Sequence, residues 1–144
     1  FGVFTFSGGE PLAQPDFLKA CFNELKGYHL CIETSGYANP EVFRSVLECL
    51  DYVIMDIKLV DPIQHLKYTG VDNKKILENF KILNNSGKQF LIRTPLIPGI
   101  TDTAENLKAI EELLDGCAWE KLPYNAAAGA KYKMLNMEYP LNQF

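Results

Sequence analysis

Short β-rich apolar runs alternate along this chain with longer stretches whose apolar residues recur at helical spacing. That alternation predicts consecutive parallel βα units. The first run is Val3–Phe6, and residues 16–26 after it place Phe17, Leu18, Cys21, Phe22 and Leu25 on one helical face. The second run is His29–Thr34. Asn39-Pro40-Glu41 then supplies a capping side chain and a proline at the first helical position, opening a helix with Val42, Phe43, Val46, Leu47 and Leu50 toward the core. Residues 52–59 form the third strand, and residues 60–73 a long connection carrying His65, Tyr68 and Gly70. The fourth unit has a helix with Ile76, Leu77, Phe80 and Leu83 on one side, ended by Asn85-Ser86-Gly87, and then a strand over residues 89–96. Asp102 and Glu105 form a capping pair for a helix carrying Leu107, Ile110, Leu113 and Leu114, and residues 120–122 make a last strand.

The strand ends decide between two arrangements of five parallel strands. Each run finishes on a chemically capable residue: Ser7, Glu33, Asp56 with Lys58, Arg93, and Asn125 just after the fifth. Side chains alternate along a strand, so Asp56 and Lys58 share a face with Ile54, and Glu33 with Cys31. Polar groups at successive carboxyl ends suit a barrel mouth, whereas a doubly wound sheet gathers its ligand groups at one switch point. The expectation is an α/β fold, a partial, TIM-like β/α barrel of five parallel strands, in one domain over residues 1–144. Five strands cannot close such a barrel, so Val3–Phe6 is expected to lie at an open, apolar edge.

Composition narrows the setting. The 144 residues are 47% hydrophobic and 22% charged, enough to bury a core, and the net charge of −4 argues against a nucleic-acid surface. No apolar run reaches the roughly 18 residues that a membrane span needs, so a soluble, cytoplasmic setting is expected. Cys21, Cys31, Cys49 and Cys117 are too scattered for a metal loop. They read as reduced thiols, Cys21 and Cys49 on apolar helix faces and Cys31 in a strand. His29 reads as a surface residue and His65 as part of the long connection.

The densest chemical signal is Ser7-Gly8-Gly9-Glu10-Pro11, where a strand ends in two glycines and opens toward a helix. Backbone there can approach a small molecule closely. Together with Cys-Ile-Glu-Thr-Ser-Gly at residues 31–36 and Met-Asp-Ile-Lys at 55–58, it resembles the "GGE" loop of radical SAM enzymes, nearest to the activating enzymes of glycyl radical enzymes in the pyruvate formate-lyase activase group.

That resemblance implies a six-stranded partial barrel whose first strand, first helix and CxxxCxxC cluster loop lie upstream of Phe1. It implies S-adenosylmethionine as cofactor, with a [4Fe-4S] cluster in the parent protein whose ligands are not in this chain. Gly8, Gly9 and Glu10 would receive the cofactor's amino group, and Glu33, Thr34 and Asp56 would line its polar end. Lys58 would pair with the methionyl carboxylate, and Arg93 would meet ribose or carboxylate. Asn125 stands where activases commonly carry a histidine near the adenine. The implied reaction generates a 5′-deoxyadenosyl radical that takes hydrogen from a glycine of a partner enzyme, with flavodoxin or ferredoxin as electron donor. Its polar residues are binders, and none is nominated as a catalytic acid or base. Two other readings stay open: an aldolase-like barrel using Lys58 for a Schiff base, and a catalytically silent binding fragment. Asp56 and Lys58 also read as a structural ion pair.

Overall fold

The computed structural model describes residues 2–124, together with residues 134 and 136. Among these, β1 (Val3–Phe6), β2 (His29–Thr34), β3 (Tyr52–Asp56), β4 (Gln89–Pro95) and β5 (Trp119–Leu122) form one sheet. Neighbours follow chain order, β1 to β5, and every pair is parallel. A doubly wound sheet would reverse its order part-way; this sheet does not, and it forms the wall of a partial barrel.

The helices are α1 (Pro15–Glu24), α2 (Pro40–Leu47), α3 (Pro62–Thr69), α4 (Lys74–Asn84) and α5 (Ala104–Leu114). Asn39 caps α2 as its sequence predicts, its side chain accepting from the Glu41 N–H at 3.2 Å. The cap of α5 differs from expectation. Thr103 accepts the Asn106 N–H at 3.3 Å, while Asp102 turns back to accept from the Gly99 N–H at 2.7 Å.

Two further expectations change. The third strand was read to Leu59 but leaves the ladder after Asp56, and the connection over residues 60–73 contains α3. Asp61 accepts the Gln64 N–H at 2.7 Å, Pro62 opens the helix, and Gly70 closes it at φ 81°. No apolar stripe announces α3, because Ile63 is 72% and Leu66 52% exposed and His65 is its single buried residue. His65 closes the helix locally, with Nδ1 2.8 Å from the Val71 carbonyl oxygen and 2.9 Å from Thr69 Oγ1. His29 starts β2 and is exposed.

All the helical core residues pack on one face of the sheet. Leu30 and Ile32 of β2, Val53 and Met55 of β3, and Ile92 of β4 join one apolar cluster with Phe22 of α1, Phe43 of α2, Phe80 of α4 and Ile110 of α5. The alternate residues face the other way, into the concave side. At the edge, Val3 is 64% exposed, and Phe6 packs edge to face on Phe22 with ring centres 5.0 Å apart. Cys31 is buried as expected of a strand residue, but Cys49 lies past the end of α2 and is exposed rather than held on an apolar face. Among the described residues no helix is long and apolar enough to cross a membrane.

The turn after β2 makes the tightest backbone approach. Gly36 has φ 72°, and a Cβ there would collide with Cε of the fully buried Met55. Asn79 fixes the turn from α4, its Nδ2 donating to the carbonyls of Gly36 at 2.8 Å and Ala38 at 3.0 Å. Gly87 also has positive φ, 74°, but a Cβ there meets nothing within 4 Å. Gly87→Ala is therefore expected to cost about 1 kcal/mol from backbone strain alone, and Gly36→Ala about 2–4 kcal/mol because overpacking adds to it. Urea unfolding of the two variants checks the difference; equal costs would contradict the close approach.

Candidate functional site

Alternation sends Cys31 and Glu33 of β2, Ile54 and Asp56 of β3, and Leu91 and Arg93 of β4 to the concave face. Register then sorts them into layers. Glu33 stands opposite Ile54, while Asp56 stands opposite Arg93. Phe6 pairs with Ile32, so Ser7, the next residue, arrives beside Glu33.

These positions produce one continuous polar array. Ser7 Oγ donates to Glu33 Oε2 at 3.0 Å, and Arg93 Nη1 reaches across β3 to Glu33 Oε1 at 3.3 Å. Arg93 Nε lies 3.5 Å from Asp56 Oδ1, and Lys58 Nζ donates to Asp56 Oδ2 at 3.3 Å. Two carboxylates thus face two cations, and the charges balance. The 3.5 Å approach of Asp56 to Arg93 is attractive but misaligned. Both Asp56 Oδ1 and Arg93 Nε are buried without a hydrogen-bond partner among the described residues. The two atoms face each other as an ion pair, which offsets their burial electrostatically although the geometry falls short of a hydrogen bond.

Glu10 builds the rim. Its Oε1 accepts from the Leu12 N–H at 3.1 Å and from Thr34 Oγ1 at 2.5 Å, and its Oε2 accepts from the N–H of Ser35 at 2.9 Å and its Oγ at 2.5 Å. One carboxylate therefore pins the loop after β1 to the loop after β2. Between them opens a cleft of about 230 Å³, bounded by Gly8, Gly9, Ser35 and the charged array. A Cβ on Gly8 or Gly9 would meet nothing within 4 Å, so the backbone there faces open space. Larger clefts, of about 470 and 540 Å³, lie between α2 and α4 and beside α3 and α5, away from the strand-end charges.

Of the residues singled out from sequence, Gly8, Gly9, Glu33, Asp56, Lys58 and Arg93 surround this cleft. Glu10 and Thr34 also border it, with their side chains turned toward each other. Asn125 lies outside the described residues. Ser7, marked in the sequence only as a polar strand end, and Ser35, which sequence reasoning missed, also line the cleft. Their signal was the hydroxyl next to each glycine-bearing loop, in Ser-Gly-Gly-Glu and Thr-Ser-Gly. Among the described residues no three His, Cys, Asp or Glu side chains gather closely enough to hold a metal ion.

A family model described as the radical SAM superfamily matches residues 1–114. This chain belongs to the radical SAM superfamily. It is 38% identical to the isethionate sulfite-lyase activating enzyme of Nitratidesulfovibrio vulgaris, over 99% of this chain and 48% of that protein. It is 42% identical to the trans-4-hydroxy-L-proline dehydratase activating enzyme of Clostridioides difficile, over 96% of this chain and 48% of the relative. The chain thus spans about half the length of these curated relatives. A solved domain of pyruvate-formate lyase-activating enzyme from Bacteroides vulgatus aligns with TM-score 0.78 and 27% identity, covering 99% of this chain and 88% of that one. The superfamily's partial barrel and the sheet described above agree.

Beneath the array, burial pushes the Cys31 thiol up from its ordinary pKa; the Thr5 side chain and Arg93 pull it down and Glu33 pushes it up, without reversing the effect of burial. Thiolate is the reacting species, so Cys31 carries less of it than a free thiol at any given pH. Iodoacetamide at pH 8 is expected to label the exposed Cys49 well before Cys31, with mass spectrometry locating the adducts. Labelling of Cys31 as fast as Cys49 in folded protein would contradict its burial.

Proposed function

We propose that this chain supplies the S-adenosylmethionine-binding part of a glycyl-radical-enzyme activating enzyme. The observation that carries the reading is the charge-balanced array of Glu33, Arg93, Asp56 and Lys58, which borders one cleft together with the open glycine loop. The cofactor carries a carboxylate, an ammonium and a sulfonium, and the residues present fit those groups. Lys58 meets the carboxylate as a point charge, and Arg93 adds a planar set of donors. Glu33 and Asp56 accept from the ammonium and offset the sulfonium charge. Gly8 and Gly9 admit the amino-acid end close to the backbone, and Glu10 holds their loop against β2. Together with a reduced iron–sulfur cluster, the bound cofactor supplies a carbon-centred radical able to take hydrogen from a glycine of the partner protein.

The cluster itself does not fit these residues, since Cys21, Cys31, Cys49 and Cys117 have no CxxxCxxC spacing. In this proposal its ligands belong to a segment outside the 144 residues, and a flavodoxin or ferredoxin delivers the electron. The partner is a glycyl radical enzyme, a class supported by relatives whose names specify different lyases and dehydratases. A Schiff-base role for Lys58 is disfavoured. An amine activated for carbonyl attack wants an apolar or cationic setting, and Lys58 is held 3.3 Å from a carboxylate.

Equilibrium dialysis with S-adenosylmethionine tests the site. Replacing Lys58 or Asp56 by alanine is expected to weaken binding about 10- to 100-fold, the equivalent of one charged hydrogen bond. Lys88→Ala should change nothing, because Lys88 serves the carbonyls of Glu48 and Leu50 elsewhere in the fold. Undiminished binding by Lys58→Ala would sink the reading. Anaerobic reconstitution with iron and sulfide should give this chain no cluster absorption and no 5′-deoxyadenosine; assembly of an active cluster on it would refute the proposed division between segments.

A further inference from the structure

After Asp56 the third strand leaves the sheet, and the backbone that carries Lys58 loses its ladder partners. The Ile57 N–H makes the last ladder-like bond, to the Arg93 carbonyl at 2.9 Å. From there the carbonyls are taken up by buried side chains. Thr94 Oγ1 donates to the Ile57 carbonyl at 2.7 Å, and Asn106 Nδ2 to the Lys58 carbonyl at 2.9 Å. Asn73 Nδ2 donates to the carbonyls of Leu59 at 3.0 Å and Val60 at 2.7 Å. Asn106 also accepts, its Oδ1 receiving the Val60 N–H at 3.2 Å.

The three donors come from β4, from α5 and from the residue just before α4, so distant parts of the fold converge on one short segment. Thr94 is 0%, Asn73 2% and Asn106 9% exposed. Polar groups buried this deeply are costly unless they are bonded, and here most of their bonding goes to the backbone around Lys58, while Thr94 Oγ1 also accepts from Trp119 Nε1. Asn106 does more. Its Nδ2 also donates to the Thr101 carbonyl at 2.9 Å, and Thr101 Oγ1 donates to the carbonyl of Pro95 at 2.5 Å, close after Arg93. One amide therefore joins the segment carrying Lys58 to the segment following Arg93. None of the three side chains lines the cleft.

We infer that Asn106, supported by Asn73 and Thr94, is a positioning residue that sets where Lys58 stands in the cleft. The inference rests on the reading of Lys58 as a cofactor contact. Removing the Asn106 amide leaves the Lys58 and Thr101 carbonyls and the Val60 N–H without their donor or acceptor. The segment then relaxes, and the lysine loses its fixed relation to Asp56.

The test is a double-mutant cycle on the full chain, with S-adenosylmethionine as the probe. Its affinity is measured for the parent, Asn106→Ala, Lys58→Ala and the double variant, each scaled to the folded fraction by circular dichroism. Asn106→Ala is expected to weaken binding about tenfold when Lys58 is present and less than about twofold when it is absent, because coupled residues do not add. Equal losses in both backgrounds, or no loss with Lys58 present, would overturn the inference while leaving the binding site intact. An unchanged affinity in Lys58→Ala would instead remove the reading of Lys58 and the inference with it. Should Asn106→Ala fail to fold, Thr94→Val keeps the shape while deleting the donation to Ile57, together with the bond, away from Lys58, that Thr94 accepts from Trp119 Nε1 at 3.0 Å. Its expected loss, about threefold, must likewise disappear in the Lys58→Ala background, and persistence there refutes the idea.

Discussion

A strand covered by helices on one side can turn only every second side chain into that helical core, and the whole arrangement of this molecule depends on that limit. Leu30, Ile32, Val53, Met55 and Ile92 fill the covered face and join one apolar cluster. Their neighbours in sequence are turned to the concave side, where Glu33, Asp56 and Arg93 are partly exposed. A second helical layer would have had to bury those charges. Because none covers them among the described residues, the sheet can carry a polar array without the full desolvation penalty of an interior ion pair.

Parallel register then determines which charges meet. Asp56 is opposite Arg93, but Glu33 is opposite Ile54, so the arginine must reach over β3 to find its second carboxylate. A lysine, with one compact charge, could not offer separate nitrogens to both. Ion pairs that remain in contact with solvent are worth little to stability, on the order of 1 kcal/mol or less. The array is better understood as a prepared set of donors and acceptors than as a brace. The bracing is done by Glu10, which accepts one bond within its own loop and three from Thr34 and Ser35, joining the loop after β1 to the end of β2.

How much of this could be read beforehand depended on how each element is held. The bounds of β1 and β2 and the Asn39 cap of α2 were legible, since apolar runs and capping residues act locally. The helix α3 was not. It buries one side chain, so no periodic stripe exists to be read, and its Asp61-Pro62 start falls inside the stretch expected to be a connection. The early end of β3 was also hidden. Ile57 and Leu59 are buried and apolar like strand residues, yet their carbonyls are met by Thr94 and Asn73 rather than by a neighbouring strand. Asp102 was the nearer match to a capping motif, but Thr103 took that role because Asp102 was already engaged with Gly99.

By itself the sequence determined the βα alternation and the polar character of the ends of β1 to β4, because those follow from spacing along the chain. The glycine loop and its neighbours were likewise visible as local motifs. Only the tertiary structure decided that Glu10 would spend its carboxylate on Thr34 and Ser35, that Arg93 would span two carboxylates, and that Asn73, Thr94 and Asn106 would serve the backbone at Lys58. These are partnerships between residues far apart in the chain. Spacing along one strand fixes the face on which a side chain lies, but which partner it finds there is set by register and by the neighbouring elements.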